Sequence, residues 1–196
     1  MKAVKSSTSA QNIILKLSKK QGTPYLSFVI DFHHKEFKTV TQDVPITTLT
    51  TQALSELTEP TLDDPEVYIS LPKPLGTKLK PVVERMKNIG EHLLVEANMD
   101  GFLKLKVETD IAVLSVSFKE LDHPAMEGRD TPNRDPNKRC IIRVNIKKFA
   151  SFLASSSVEP DGVVMCLVPD KAIVLHVLAG DTGMHMTYYI PVIVSD

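Results

Sequence analysis

The sequence is poor in the features that mark several large functional classes. It holds two cysteines, Cys140 and Cys166, too few for a disulfide scaffold. Without a signal peptide they read as two ordinary strand residues in a reducing, intracellular setting. The first ten residues (MKAVKSSTSA) lack an apolar signal core, and no apolar run is long enough to cross a bilayer, so no membrane association is expected. Charge of one sign is also missing. Lysine and arginine number 23, aspartate and glutamate 24, and the formal net charge is −1. No global basic signal points to nucleic acid, and any DNA contact has to come from a local patch.

Catalytic constellations are absent from the pattern as well. No glycine-rich phosphate loop, HExxH or GxSxG occurs. His33-His34 and Asp63-Asp64 are adjacent pairs, and neighbours in extended chain point apart, so neither forms a ready metal site. A cysteine–histidine pair built on Cys140 or Cys166 would rest on composition alone. The chain is read as a non-enzyme without cofactor or metal. A nuclease using Asp63 and Asp64 is the enzymatic alternative.

Strands are abundant. Hydrophobic residues make up 42% and charged residues 24% of the chain, enough for a packed core. Asn12–Leu17, Pro24–Phe32 and Lys38–Val44 each read as a strand with one buried face, the second carrying Leu26, Phe28, Ile30 and Phe32 on one side. Pro45–Pro65 then breaks the pattern with three prolines, six threonines and four acidic residues. It reads as a surface linker with a few apolar anchors among Leu49, Leu54, Leu57 and Leu62, the first three as the candidates. Glu66–Leu71 is a strand. From Leu75 to Ile89 the apolar residues follow helical spacing, with Pro81 either near the true first turn or at a kink and Gly90 as the C-cap. Strands follow at Leu93–Asn98, Phe102–Val107 and Ile111–Phe118, the first hairpin turning on Asp100-Gly101. Lys119–Lys138 reads as a mobile loop. A strand Cys140–Ile146, a short helix Lys147–Ala154 and strands Val163–Val168, Ala172–Leu178 and His185–Pro191 complete the chain. The order is βαβββ twice over.

Ser6–Ile46 repeats the plan of Ser155–Val192: a serine-rich start, three strands, and a close on Val44-Pro45-Ile46 or Ile190-Pro191-Val192. Residues 1–46 therefore read as the back part of an N-terminal domain whose front is missing. Residues 47–65 read as an interdomain connector, and residues 66–196 as a complete C-terminal domain.

A chain of βαβββ units is the plan of sliding clamps. The runs VVERMKNI, HLLVEANMDG and LKLKVET within Val82–Thr109 resemble the Hus-type subunit of the 9-1-1 checkpoint clamp. TVTQDVPI (Thr39–Ile46), DPEVYISLP (Asp64–Pro72), FKELDHP (Phe118–Pro124) and YYIP (Tyr188–Pro191) agree in the same order. The resemblance implies an α+β, PCNA-like DNA clamp fold and a nuclear protein of the DNA damage checkpoint and DNA repair. It implies a heterotrimer with two Rad-type clamp subunits around double-stranded DNA, held without sequence specificity, with clamp loader and repair enzymes as further partners. A shortened interaction module that binds one clamp partner without closing a ring is the second reading.

On a helical wheel, Lys80 lies opposite the apolar face of Leu75–Ile89, beside Thr77, Glu84 and Asn88, with Lys87 on one flank and Lys78 and Arg85 on the other. On the second helix Lys147 points away from Phe149, Phe152 and Leu153, with Lys148 on its flank. Long flexible cations meet phosphates without reading bases, as a sliding channel requires. The same cations also suit a solvated helix face. By strand order, the resemblance places the ring joints on Phe37–Val44 and Ile111–Phe118, with Phe37, Val40, Val44, Ala112, Leu114, Val116 and Phe118 as interface residues.

Overall fold

The computed structural model describes residues 10–32, 39–124, 135–155, 160–179 and 184–194. His33, His34, Phe37 and half of the loop expected over Lys119–Lys138 lie outside them. The chain divides into two compact units, Met1–Pro60 and Thr61–Asp196.

The first unit is an antiparallel meander of β1 (Asn12–Lys20), β2 (Thr23–Asp31) and β3 (Thr39–Pro45), in the order β1-β2-β3. Lys20 pairs with Thr23 across Gln21 and Gly22, both at positive φ. This is the two-residue turn whose twist matches that of paired strands. Register puts Ile13, Leu15 and Leu17 beside Ile30, Phe28 and Leu26, with Val40 and Val44 completing the same face. Ile30 is fully buried, whereas Leu26, Phe28 and Phe32 are half-buried. The expected buried face of the first strand is not found: β1 is exposed at nearly every position, with Leu17 72% accessible. The opposite face carries a polar line across all three strands. Ser18 and Ser27 share a 2.6 Å hydrogen bond, Ser27 Oγ donates to Asp43 Oδ1 at 2.6 Å, and Lys20 pairs with Asp43.

The expected surface linker contains a helical turn, α1 (Thr51–Ser55), whose N-cap Thr50 Oγ1 accepts the Ala53 N–H. Leu49, Leu54 and Leu57 do not anchor it: they are 58%, 61% and 68% exposed. Leu62 takes that role. It packs on a small cluster of Tyr68, Val164, Cys166, Val168 and Val174.

The second unit contains two four-stranded sheets. One runs β11-β10-β9-β4, from Met184–Pro191, Ala172–Ala179, Gly162–Val168 and Val67–Ser70. The other runs β7-β6-β5-β8, from Val113–Phe118, Leu103–Glu108, His92–Ala97 and Cys140–Asn145. The two meet at a seam, where Val144 bridges Val192 and the Ile193 N–H donates to the Arg143 carbonyl at 2.8 Å. Alternation does the rest: Leu93, Val95, Ala97, Leu103, Leu105 and Val107 point into one core while their neighbours face outward.

Helices cover that core. The single helix expected from Leu75 to Ile89 is two: α2 (Leu75–Lys78) and α3 (Lys80–Lys87). Pro81 lies in the first turn of α3 and has no N–H to give the Thr77 carbonyl, which breaks the run at Leu79. The C-cap is Asn88, not Gly90. Gly90 is needed for another reason: a Cβ there would stand 2.7 Å from Val107 Cγ1. α4 (Ile146–Ser155) is capped by Asn145, whose Oδ1 accepts the N–H groups of Lys147 and Lys148 at 2.9 and 3.3 Å. Leu75, Leu79, Val83 and Met86 meet Phe149, Phe152 and Leu153 in the same core, and Phe152 sits edge-on to Tyr188 with centroids 5.1 Å apart.

Candidate functional site

The six cations singled out from the sequence lie on α2, α3 and α4, but the structure does not bring them all to one place. Lys87 and Lys147 line a groove of about 470 Å³ between α3 and α4, with Glu84, Asn88 and Ser151. Lys78 lines a different cleft. Lys80 is half-buried, and Arg85 and Lys148 are exposed.

Two of the six are already paired. Lys87 Nζ is 2.5 Å from Glu84 Oε2, and Lys147 Nζ is 3.4 Å from Glu91 Oε1. Lys78, Lys80, Arg85 and Lys148 have no carboxylate partner among the described residues. On the outer face of the sheet the balance differs. Lys104 and Arg139 share Glu96, Lys106 pairs with Glu108, and Arg139 also stacks over the Phe102 ring at 4.8 Å. The Lys106 ammonium beside Glu108 holds that carboxyl below its usual range.

Lys147 and Lys148 occupy the first turn of α4. The N-terminal end of a helix is its positive end, so cations there cost about 0.3–1 kcal/mol each instead of stabilising the helix. Their position suits an anion better than it suits the fold. Sequence reasoning placed these lysines but missed Glu91, which lies in the short connection before β5 and outside any periodic pattern.

Among the described residues, the edges differ in how open they are. β3 pairs only with β2, and β7 only with β6. Leu114, Val116 and Phe118 are half-buried against the core, while Ala112 is exposed. Val40 is exposed and Val44 half-buried. The edge of β4 is closed. Its Ser70 N–H donates to the Asp122 carbonyl at 2.8 Å, its Tyr68 carbonyl accepts from His123 Nδ1 at 2.9 Å, and its Tyr68 N–H reaches Met99 Sδ at 3.5 Å. No sequence pattern announced this closure, because it depends on contacts more than thirty residues apart.

Cys140 and Cys166 are free and buried. Burial first, then Glu66 beside it, pushes the Cys140 thiol up to about 12, which leaves it without a reactive thiolate at neutral pH. No group of three or more potential metal ligands occurs among the described residues, and Asp63 and Asp64 are exposed. Among the described residues no helix is long and apolar enough to cross a membrane.

A family model described as Hus1-like protein matches residues 1–194. The chain is 34% identical over 191 residues to the checkpoint protein hus1 homolog of Dictyostelium discoideum, covering 97% of this chain and 67% of that protein. It is 32% identical over 193 residues to the human checkpoint protein HUS1, with the same coverage of each. It is 29% identical over 203 residues to checkpoint protein hus1 of Schizosaccharomyces pombe, covering 96% of this chain and 70% of that protein. The antiparallel sheets, the sparse helices that cover one core, and a family match along nearly the whole chain agree: this protein belongs to the Hus1-like family of checkpoint clamp subunits and has its α+β, PCNA-like clamp fold.

Proposed function

We propose that the chain works as a non-catalytic subunit of a heterotrimeric 9-1-1 clamp, joined to two Rad-type subunits around double-stranded DNA in the nucleus. In this reading residues 1–46 belong to a first clamp domain, 47–65 connect, and 66–196 form a second. The ring serves the DNA damage checkpoint and offers clamp loader and repair enzymes a platform, with Leu49, Leu54 and Leu57 of the connector exposed to them.

The observation that carries the reading is the contrast between edges. β4 is closed by its own chain, while among the described residues β7 offers a row of unpaired backbone groups above a packed core. An antiparallel strand points alternate N–H groups to each side, so β7 can take a neighbour without disturbing β6. β3 offers the second joint. The cations of α2, α3 and α4 face away from the core, where phosphates of an enclosed duplex would meet them.

Hydrogen exchange on the co-expressed trimer tests this. Alternate amides of Val113–Phe118 slow on assembly, and unchanged exchange there rejects the joint. A second reading has support in β1, where Ile13, Leu15 and Leu17 are exposed. It makes the chain a module that binds one clamp partner without closing a ring. Retention of the trimer on circular but not linearised DNA selects the closed ring.

A further inference from the structure

A second concave site lies in the Thr61–Asp196 unit and shares no residue with the α3–α4 groove. It is a cleft of about 480 Å³, within the range of about 300–1,000 Å³ usual for ligand sites. Leu71, Pro72 and Val163 form a buried floor, and Leu121 and the partly exposed Leu178 form the apolar sides. Lys73, Lys78 and Lys119 line it without a carboxylate partner among the described residues.

The wall is held firmly in place. The Leu121 N–H donates to the Gly101 carbonyl at 3.1 Å, the Ser70 N–H to the Asp122 carbonyl at 2.8 Å, and His123 Nδ1 to the Tyr68 carbonyl at 2.9 Å. Gly101 permits the close approach: its φ is +75°, and a Cβ there would lie 2.8 Å from the Leu121 oxygen. Just before these ties Glu120 sits at φ +57°, a left-handed conformation that costs a non-glycine residue energy and persists where its surroundings enforce it. The cleft is therefore preformed, which lowers the ordering cost of binding.

We propose that this cleft docks an extended acidic segment of a partner protein. One apolar side chain enters over Leu71, Leu121 and Leu178, and flanking carboxylates meet Lys73, Lys78 and Lys119. Charge complementarity selects the occupant. Three unpaired lysines around an apolar floor attract carboxylates, and the floor rewards an apolar anchor. Glu120 and Asp122 also line the cleft. They disfavour a uniformly charged polyanion such as a duplex and favour a segment with a few carboxylates around one anchor. Lys78 also belongs to the helix cations assigned to phosphate above, so the inference rests on Lys73 and Lys119, which lie outside those helices.

The test uses the full chain, isotope-labelled, titrated with a synthetic heptapeptide of aspartates and glutamates around a central Leu-Phe pair. The expected result is saturable shift changes at Leu71, Leu121, Val163 and Leu178, weakened at least tenfold by Lys73→Glu with Lys119→Glu, and lost in Leu178→Glu. All three positions are exposed, and unchanged shifts elsewhere establish that the variants fold. The same peptide with lysines for its acids leaves the cleft unperturbed. Four outcomes would overturn the proposal: no response at millimolar peptide, an equal response to the lysine peptide, a stronger response of the same residues to a short random duplex, or concentration-dependent shifts without peptide, which would assign the cleft to a second copy.

Discussion

The Lys147 ammonium stands 3.4 Å from the Glu91 carboxylate, and the Ile146 N–H donates to the Glu91 carbonyl at 3.0 Å. Glu91 thus ties the start of α4 to the chain leading into β5 and partly neutralises that end. With Glu84 on Lys87, it leaves four of the six helix-face cations free for phosphate. Each phosphate neutralised by a cation contributes about −0.9 to the slope of log K against log salt. Glu84→Gln with Glu91→Gln should tighten duplex binding and steepen that slope by up to about 1.8. Glu108→Gln, on the outer sheet, should leave both unchanged. Salt titrations by fluorescence anisotropy check this; an equal gain from Glu108→Gln places the duplex elsewhere.

Leu62 and Leu54 belong to the same threonine-rich stretch and have opposite fates. Leu62 packs beside Tyr68 and Cys166, while Leu54 is 61% exposed. Leu62→Ala should cost about 1–2 kcal/mol, part of the full core value because the side chain is only half-buried. Leu54→Ala should change stability by less than about 0.5 kcal/mol. Urea unfolding measures both. A partner-peptide role for Leu54 would instead appear as lost binding at unchanged stability.

The contrast between these two leucines also marks what the sequence could say. Period-two alternation placed β5 through β7 to within a residue or two, because each strand has one wet face. The helix faces were equally legible, down to Phe149, Phe152 and Leu153. Which of the linker leucines would be covered was not, because the cover over Leu62 comes from Tyr68 nearby and from Val164 and Val174, far along the chain. The same holds for the closed edge of β4 and for the Glu91–Lys147 pair. Local pattern reports which way a side chain points. Only the fold reports what waits there.

Gly90 was expected to cap a helix, and its real constraint is steric. A methyl group would meet Val107 Cγ1 at 2.7 Å, and Val107 is fully buried with no room to retreat. Gly90→Ala should destabilise by about 1–3 kcal/mol through overpacking. The paired change Gly90→Ala with Val107→Ala should recover part of that loss, beyond what adding the two single effects gives. A double-mutant cycle in urea decides.

Cys140 and Cys166 should resist thiol reagents in the folded state at neutral pH. Burial and the Glu66 carboxylate push the Cys140 thiol up to about 12, so the reactive thiolate is scarce. In denaturant both should label at the rate of free cysteine. Rapid native labelling of Cys140, read by mass spectrometry, would contradict its placement.

Asp43 joins all three strands of the first sheet through Lys20 and Ser27. Those two hydrogen bonds, Lys20 first, hold its carboxyl below the ordinary aspartate value. A depressed folded value means that the contribution is fully present above the unfolded value, near 3.8, and is lost as pH falls through the lower folded one. Amide protection in β1–β3 should therefore weaken below about pH 4, earlier than in β9 and β10, which carry no acidic residue. Asp43→Asn should flatten that acid dependence while leaving the Thr61–Asp196 unit unchanged. Hydrogen exchange across the acid range checks both statements, and an identical acid profile for wild type and Asp43→Asn would remove the carboxylate from the account.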